Sequence, residues 1–240
     1  MPPRSRLPRL PTVLPPRDPR RGYTQQEILE HLRRLILDGN LPPRTMLPLR
    51  EFSERYAVSP IPVRESLQTL IGEGLVEHRQ HCGYTVTQLT VRELRELYLV
   101  REQLESTALA AAVLRAGPDD HRLAAESHAR LEAAVREDDP AAYHRESRIF
   151  HLALTRPSGM ARLVHMLEYA WNITEPVQPM VHVSAAERAV LQDDHARQLA
   201  AFLAGDAEGL LAAAERHHTR LNGVVAGLPT DTGLLAAEDI

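Results

Sequence analysis

The chain has 240 residues and a formal net charge of −4, with 43% hydrophobic and 25% charged residues. This length suits two modest domains, and the composition excludes a disordered protein. No apolar run approaches the roughly 20 residues of a membrane-spanning helix. The single cysteine, Cys82, excludes an intrachain disulfide and a thiolate-rich zinc site. We therefore expect a cytoplasmic protein with no membrane partner.

Charge is distributed unevenly along the chain. Residues 1–90 carry 13 arginines and 9 acidic residues, whereas residues 91–240 carry 15 arginines and 23 acidic residues. Six of the arginines fall in residues 1–21, a proline-rich stretch without hydrophobic periodicity. We interpret residues 1–21 as a flexible Pro/Arg-rich arm.

Two helices are predicted next. Thr24 and Glu27 form a capping-box pattern, and apolar residues then recur at helical spacing up to a stop at Gly39 and Asn40. A second, short helix follows Pro48, with two aromatic side chains directed inward, Phe52 and Tyr56.

A third helix is predicted to begin at Pro60. Ser59 stands at the N-cap position, where its side chain would accept a backbone hydrogen bond, and a proline in the first helical position loses none. One face of this helix is apolar and consists of Val63, Leu67, Leu70 and Ile71. The opposite face presents Ile61, Arg64 and Gln68, because these positions step by three and four.

A short hairpin follows the third helix. Two runs with strand character, residues 75–78 and 84–87, flank residues 79–83, with Gly83 at the turn. Three small helices and a hairpin predict a winged helix-turn-helix over residues 22–89.

The rest of the chain is predicted to be helical. Helices are expected over residues 91–116, 118–137, 140–156, 184–204 and 206–226. A further helix lies between the third and fourth of these ranges and is broken by Pro176 and Pro179. The fold class is therefore mostly α, with an all-α bundle of six or seven helices over residues 90–228. Residues 229–240 are interpreted as a loose tail.

The sequence resembles the GntR family of bacterial transcription regulators, in the FadR subgroup. In the first half the resemblance rests on the stretch VSPIPVRESL at 58–67, EGLV at 73–76 and Gly83. In the second half it rests on LYLVREQLE at 97–105, followed by Phe150-His151, His195, Gly205-Asp206 and His217. The resemblance covers roughly residues 22–226 and identifies residues 90–228 as an effector-binding and dimerisation domain.

The resemblance implies a homodimer that binds a double-stranded DNA operator. The third helix would enter the major groove, where arginine binds guanine or phosphate and glutamine reads adenine, while the wing around His81 and Gly83 would reach the minor groove. The candidate DNA contacts are Arg50, Ser59, Ile61, Arg64, Gln68, His81 and Gly83. Arg64 has an alternative role in a salt bridge with Glu54 or Glu65, and Gln68 has one as a merely solvated residue. The family usually has an arginine at the position of Pro60, so one expected contact is missing.

Three histidines are candidate metal ligands. By spacing alone, His151, His195 and His217 are ordinary core or surface histidines. The resemblance implies instead that they hold a divalent transition metal (Zn, Ni or Fe), together with an aspartate four residues before His151. That position is Ser147, a poor ligand, so the metal is either held by the three histidines and water, held weakly, or absent. Three further residues are not expected to bind the ion. Glu146 is turned about 100° around the helix from Ser147, and His144 lies about 10 Å along the helix from His151. The family has an apolar residue at the position of His218.

An effector pocket is also expected in the helical domain. Arg101 and Glu105 are four residues apart and either pair with each other or leave Arg101 free to hold a carboxylate effector. Besides Arg101, the candidate ligand-binding residues are Tyr98, Glu105, Trp171 and Asn172, although the stretch around Trp171 is equally suited to a core. No organic cofactor is implied.

Two hypotheses of function follow. The first is a ligand-responsive DNA-binding regulator, more commonly a repressor in this family, that binds an inverted-repeat operator as a homodimer and changes its DNA affinity when an organic acid binds. The second is a metal-dependent enzyme that uses the three histidines. No nucleophile, general base or phosphate loop accompanies those histidines, and an enzyme would leave the winged helix unexplained.

Overall fold

A computed structural model describes residues 22–79, 83–228 and 235–236. The predicted arm, His81 and Cys82 of the predicted wing, and most of the predicted tail lie outside these residues. The chain divides into two compact units. The described part of the first comprises residues 22–90 with 172–177 and 235–236, and that of the second comprises 91–171 and 178–228.

The first unit is a winged helix-turn-helix. Its helices are α1 (Gln25–Leu37), α2 (Leu49–Tyr56) and α3 (Pro60–Gly72), and its strands are β1 (Val76–Arg79) and β2 (Gly83–Val86). The capping box predicted for the first helix is confirmed, because Thr24 and Glu27 exchange both hydrogen bonds. Phe52 and Tyr56 are buried, as predicted. The helices and the sheet enclose one apolar core, which includes Ile28, Leu32, Phe52, Tyr56, Leu67 and Leu70.

The start of α3 differs from the prediction in one detail. Ser59 is the N-cap residue and has extended backbone, but its side chain makes no capping hydrogen bond. The physical reason lies in the sequence Pro60-Ile61-Pro62. A capping side chain accepts from the second or third helical N–H, and Pro62 in the third position has no N–H to donate.

The two strands pair antiparallel, with Val76 opposite Val86 and Arg79 opposite Gly83. Each strand is displaced by one residue from its predicted range. Gly83 has a φ of +81°, so the glycine predicted at the turn has the left-handed conformation that residues with a Cβ disfavour. The chain before α2 also joins the sheet through an isolated bridge between Met46 and Thr85.

Six α-helices follow among the described residues, which confirms the predicted helical domain. They are α4 (Val91–Ala112), α5 (Pro118–Arg136), α6 (Pro140–Thr155), α7 (Ala161–Thr174), α8 (Ala185–Ala204) and α9 (Ala207–Ala226). Within the second unit α5 packs on α6 and α8, and α9 packs on α4 and α8. Short 3-10 turns follow α7 where Pro176 and Pro179 were expected to break a helix.

Local capping explains where the later helices begin. Asp139 and Asp206 each accept a backbone N–H at the start of α6 and α9, and Ser184 forms a capping box with Glu187 at the start of α8. α8 ends at Gly205, which has a φ of +68°. None of the helices in the described residues combines the length and the apolar composition that a membrane span requires.

Candidate metal centre and nucleic-acid surface

The outer face of α3 has the composition that the sequence predicted. Ile61 is 64% exposed, and Arg64 and Gln68 are exposed as well. On the inner face Val63, Leu67 and Leu70 are fully buried, whereas Ile71, predicted to belong to the same stripe, is only partly buried at its edge. The predicted outer face therefore presents an apolar residue, a cation and an amide, and Glu65 and Thr69 are exposed beside them.

Two of the exposed arginines differ in their surroundings. Arg50 on α2 donates to Glu54 from Nε over 2.9 Å, and its side chain is 92% exposed. Arg64 forms no ion pair with any residue that the structure describes, so the predicted alternative pairing with Glu54 or Glu65 is not observed. The guanidinium of Arg64 is directed into solvent from the middle of the outer face.

Gln68 is linked to the wing. Its Nε2 donates to the hydroxyl of Tyr84 on β2 over 3.3 Å, and the Tyr84 ring packs against His78 on β1. This contact was not predicted, because an aromatic residue in a predicted strand carries no signal of a contact with the preceding helix. Tyr84 fixes the position of Gln68 relative to the hairpin.

The three predicted histidines are brought together by α6, α8 and α9. One ring nitrogen from each of His151, His195 and His217 lies within 4.8 Å of the other two. All three side chains are buried, and their ring centroids are 4.5 to 5.1 Å apart. His144 and His218 are not part of this group, in agreement with the prediction.

A buried carboxylate orients the first of these rings. Glu105 on α4 is almost fully buried, and its Oε1 accepts a hydrogen bond from Nδ1 of His151. Its other oxygen lies 3.3 Å from Nε2 of His218. A carboxylate that accepts from Nδ1 leaves the Nε2 of His151 to the metal site. The sequence suggested Glu105 as a partner of Arg101 or as a ligand-binding residue, and not as a partner of His151, because nothing in the spacing joins α4 to α6.

The second ring is oriented by an amide. Oε1 of Gln192, an acceptor, lies 3.2 Å from Nδ1 of His195, and this contact favours the tautomer with the proton on Nδ1. The Nε2 atoms of His151 and His195 are 3.1 Å apart. In that tautomer both Nε2 atoms keep a lone pair, and a cation between them would remove their repulsion.

The electrostatics favour neutral rings beside an ionised carboxylate. Burial lowers the pKa of both His195 and His217 well below the usual value, and the neighbouring histidines lower it further. Burial alone would raise the pKa of Glu105, but His151 and His218 hold it well below the usual value. Nδ1 of His217 is buried and makes no hydrogen bond within the described residues. The neutral rings of His195 and His217 and the unpartnered ring nitrogen of His217, next to His151, fit a divalent transition metal.

A small cavity adjoins the histidines. Its volume is about 20 Å³, which is enough for about one water molecule. Ser147 lines it at the position where the family has an aspartate. Glu146 is turned away, as expected, and accepts from Nε of Arg130 over 2.8 Å. The other lining residues include Tyr98, Arg101, His144, Trp171, Met180 and Leu191.

Arg101 faces this cavity between two aromatic rings. Its guanidinium carbon lies 4.4 Å from the centroid of Tyr98 and 3.8 Å from that of Trp171, and the residue is only 6% exposed. Of the two roles left open for Arg101, this geometry favours the one directed into the pocket. Asn172 is not among the residues that line this cavity, and its role in ligand binding stays a prediction. Asn172 follows Trp171 by one residue, and one residue along a helix turns the side chain by about 100°.

A winged helix-turn-helix followed by a helical domain with a buried histidine cluster defines a class of two-domain DNA-binding regulators. Residues 24–86 match the family model of bacterial regulatory proteins, gntR family, and residues 96–220, more than half of the chain, match the FCD domain. The chain belongs to the GntR family and carries an FCD domain.

Individual relatives agree with this assignment. The HTH-type transcriptional regulator McbR of Escherichia coli is 28% identical over 185 residues, which cover 76% of this chain and 84% of McbR. A probable D-xylose utilization operon transcriptional repressor of Paenarthrobacter nicotinovorans is 30% identical over 190 residues, which cover 76% of this chain and 80% of that protein.

Solved structures lead to the same class. The structure of E. coli McbR/YncC superposes with a TM-score of 0.74 at 25% identity and covers 84% of this chain and 96% of its own. A GntR regulator from Rhodococcus sp. RHA1 shares the fold with a TM-score of 0.75 at 22% identity, covering 85% and 98%. These relatives are transcription regulators and not enzymes, so the enzyme hypothesis is not supported.

Proposed function

We propose that this protein is a ligand-responsive repressor that binds an inverted-repeat operator as a homodimer. A metal ion in the helical domain would be held by His151, His195 and His217, and an organic acid would be the effector. The observation that carries the DNA-binding part is the exposed guanidinium of Arg64, on the outer face of α3, which pairs with no acidic residue in the described part of the chain.

The outer face of α3 suits readout in a major groove. Arg64 is placed to bind guanine or a phosphate, and Gln68, held by Tyr84, is placed to read adenine. Pro60 offers no hydrogen-bond donor where the family has arginine, and Ile61 next to it presents an apolar side chain. We expect the operator to differ from the family's common one at the base pairs that face this end of α3.

Two-fold symmetry determines the form of the operator. A homodimer presents two identical recognition helices, so each half-site is read once and the second half-site is inverted. The spacing of the half-sites then follows from the dimer rather than from one chain.

The proposed effector site combines a metal ion with an arginine that can bind a carboxylate. A divalent ion on the three histidines would supply an electrophilic position for a carboxylate oxygen. The guanidinium of Arg101, held between Tyr98 and Trp171, offers the forked donors that a second carboxylate oxygen accepts. Ser147 contributes a hydroxyl where an aspartate would add a negative charge, so the site keeps more positive charge for an anionic ligand.

The size of the cavity connects binding to regulation. About 20 Å³ holds a water molecule but not an organic acid, so the effector requires a wider state of the helical domain. A ligand that binds only the wider state shifts the population towards it. The operator affinity changes if the two states differ in dimer geometry.

Selection of duplexes from a random pool with the purified protein tests the proposal. We expect an inverted repeat to be enriched. Arg64→Ala is expected to weaken binding to the selected duplex about tenfold or more, because a bidentate base contact contributes about 1–3 kcal/mol. Arg122→Ala is the matched control, since Arg122 is an exposed arginine on α5 that pairs with Asp119 and Glu126. If Arg64→Ala binds the selected duplex as tightly as the wild type does, the contact assigned to Arg64 is wrong. If the selection enriches no inverted repeat, the proposed function is wrong.

A further inference from the structure

Gln192 on α8 and His128 on α5 lie behind the metal site and are not candidate ligands. We propose that Gln192, held by His128, is a positioning residue that fixes the tautomer of His195 so that the lone pair of its Nε2 faces the ion. This inference rests on the proposed metal site. It assigns a role in ligand geometry to two residues that do not approach the ion themselves.

The contacts form a continuous chain through the second unit. Oε1 of Gln192 lies 3.2 Å from Nδ1 of His195, and Nε2 of Gln192 lies 3.0 Å from Nε2 of His128. All three side chains are buried. On the far side of His128, Nδ1 lies 4.0 Å from Oε1 of Glu132, whose side chain is half exposed.

The side-chain amide of Gln192 can adopt two orientations, and the two favour opposite tautomers of His195. With the oxygen towards His195, Nδ1 carries the proton and Nε2 keeps its lone pair. With the NH₂ group towards His195, Nδ1 must accept, the proton moves to Nε2, and Nε2 is lost as a metal ligand. The tautomer of His195 therefore depends on what holds the amide of Gln192.

His128 selects the first orientation. Its Nδ1 lies 4.0 Å from the Glu132 carboxylate, too far for a hydrogen bond but near enough for the negative charge to favour the tautomer with the proton on Nδ1, which leaves Nε2 as an acceptor. Only the NH₂ group of Gln192 can satisfy an acceptor, which directs the amide oxygen to His195. Burial also lowers the pKa of His128, so the neutral form that accepts is the stable one.

Tyr143 makes the role of Gln192 necessary. The Tyr143 hydroxyl lies 3.4 Å from the same Nδ1 of His195 and would donate to it if that nitrogen were bare. A tyrosine hydroxyl is a hydrogen-bond donor as well as an acceptor. Without the amide oxygen, Tyr143 would favour the tautomer that blocks Nε2. His151 needs no such relay, because its partner Glu105 is a carboxylate and only accepts.

The test combines zinc affinity with the tautomer of His195. The Zn²⁺ dissociation constant of the full-length protein is measured by competition with a chromophoric chelator. The tautomer is read from long-range ¹H–¹⁵N correlations of metal-free protein labelled at histidine, with His195→Asn used to assign the resonance. The variants are Gln192→Leu, Gln192→Glu, His128→Phe and, as a control, Gln198→Leu. Gln198 is fully buried on the same helix, and neither atom of its amide makes a hydrogen bond within the described residues.

We expect Gln192→Leu to raise the zinc dissociation constant about 10- to 100-fold, the usual effect of losing a partner behind a metal-binding histidine. In the metal-free protein this variant is expected to move the proton of His195 from Nδ1 to Nε2. Gln192→Glu is expected to retain the wild-type tautomer and affinity, because a carboxylate accepts from Nδ1. His128→Phe is expected to give an intermediate loss, and Gln198→Leu no loss.

An unchanged tautomer in Gln192→Leu would overturn the inference, and so would an equal loss of affinity in Gln198→Leu. Wild-type affinity in His128→Phe would overturn the role given to His128. A wild-type protein that takes up no zinc would instead overturn the proposed metal site. The tautomer of the metal-free protein still decides the role of Gln192 in that case, so the two failures are distinguishable.

Discussion

At the scale of single residues, the histidines show how much of the candidate metal site the sequence could predict. The chain has 12 histidines, and spacing alone does not distinguish His151, His195 and His217 from the others. The family resemblance selected these three, and the structure places them together. The partners that orient the rings, Glu105 and Gln192, were not predicted as such, because hydrogen bonds between helices distant in sequence leave no periodic signal.

The buried histidines also predict how stability depends on pH. The folded-state pKa values of His195 and His217 are lowered, so below about pH 6.5 the unfolded chain binds protons that the folded chain does not. The free energy of unfolding of the metal-free protein should therefore fall on acidification from neutral pH, by up to about 1.4 kcal/mol per pH unit for each such histidine. The carboxylate of Glu105, with its lowered pKa, adds a further loss only below about pH 4.5.

Urea unfolding at several pH values, with a chelator present, measures this slope. His195→Gln should have a smaller slope than the wild type, because one proton-uptake difference is removed. His182→Gln is the matched control, since His182 is exposed and is solvated in the folded and unfolded chain alike. Equal slopes in the wild type and His195→Gln would contradict the assignment of a buried neutral ring.

At the scale of secondary-structure elements, helix starts were predicted better than contacts between helices. Proline and capping residues marked the starts of α5, α6, α8 and α9 to within one residue, because these signals act through the local backbone. The first helix of the bundle, α4, ends at Ala112, four residues before the end at Ala116 that Gly117 and Pro118 predicted. No local signal predicted which side chains of α8 would meet α9.

One such contact lies next to the histidine cluster. Asp194 on α8 is fully buried and accepts from Nη1 of Arg220 on α9 through both oxygens at 2.7 Å. Arg197 adds a third contact at 3.2 Å. Because Asp194 precedes His195 and Arg220 follows His217 by one turn, this ion pair joins α8 to α9 next to the two histidines.

Asp194→Asn should therefore lower the free energy of unfolding by about 2 kcal/mol, the range for losing hydrogen bonds to a charged group. It should also weaken zinc binding, because His195 and His217 lose their common anchor. Asp193→Asn is the adjacent control, and its exposed side chain predicts a change within about 0.5 kcal/mol. Chemical denaturation and the chelator competition measure both effects, and equal stability of the two variants would contradict the anchoring role.

At the scale of the whole molecule, the chain divides into two domains that differ in net charge. The acidic excess falls in residues 91–240, whereas the basic excess of residues 1–90 comes from the six arginines of residues 1–21, so residues 22–90, with 7 arginines and 8 acidic residues, are nearly neutral. The sequence could establish this division and the order of the domains, because both depend on composition and local pattern. The dimer that the proposed function needs depends on surface complementarity, which neither composition nor periodicity encodes.

A homodimer predicts a large difference between one half-site and two. Affinity for the full inverted repeat should exceed affinity for a duplex with one half-site scrambled by about 100-fold, because the second contact is made within an already formed complex. Gel-shift titration measures the ratio, and sedimentation of the complex should give two chains per duplex. Equal affinities for both duplexes, with one chain bound, would indicate a monomeric binder.

The position of Trp171 has a practical consequence. It is the single tryptophan of the chain, its ring centroid lies 5.3 Å from that of His151, and the guanidinium of Arg101 covers it. The tryptophan fluorescence of the unlabelled protein thus originates entirely at the wall of the cavity beside the three histidines. If an organic acid binds there, as proposed, we expect the emission intensity to change, so candidate acids can be screened optically before the operator sequence has been determined.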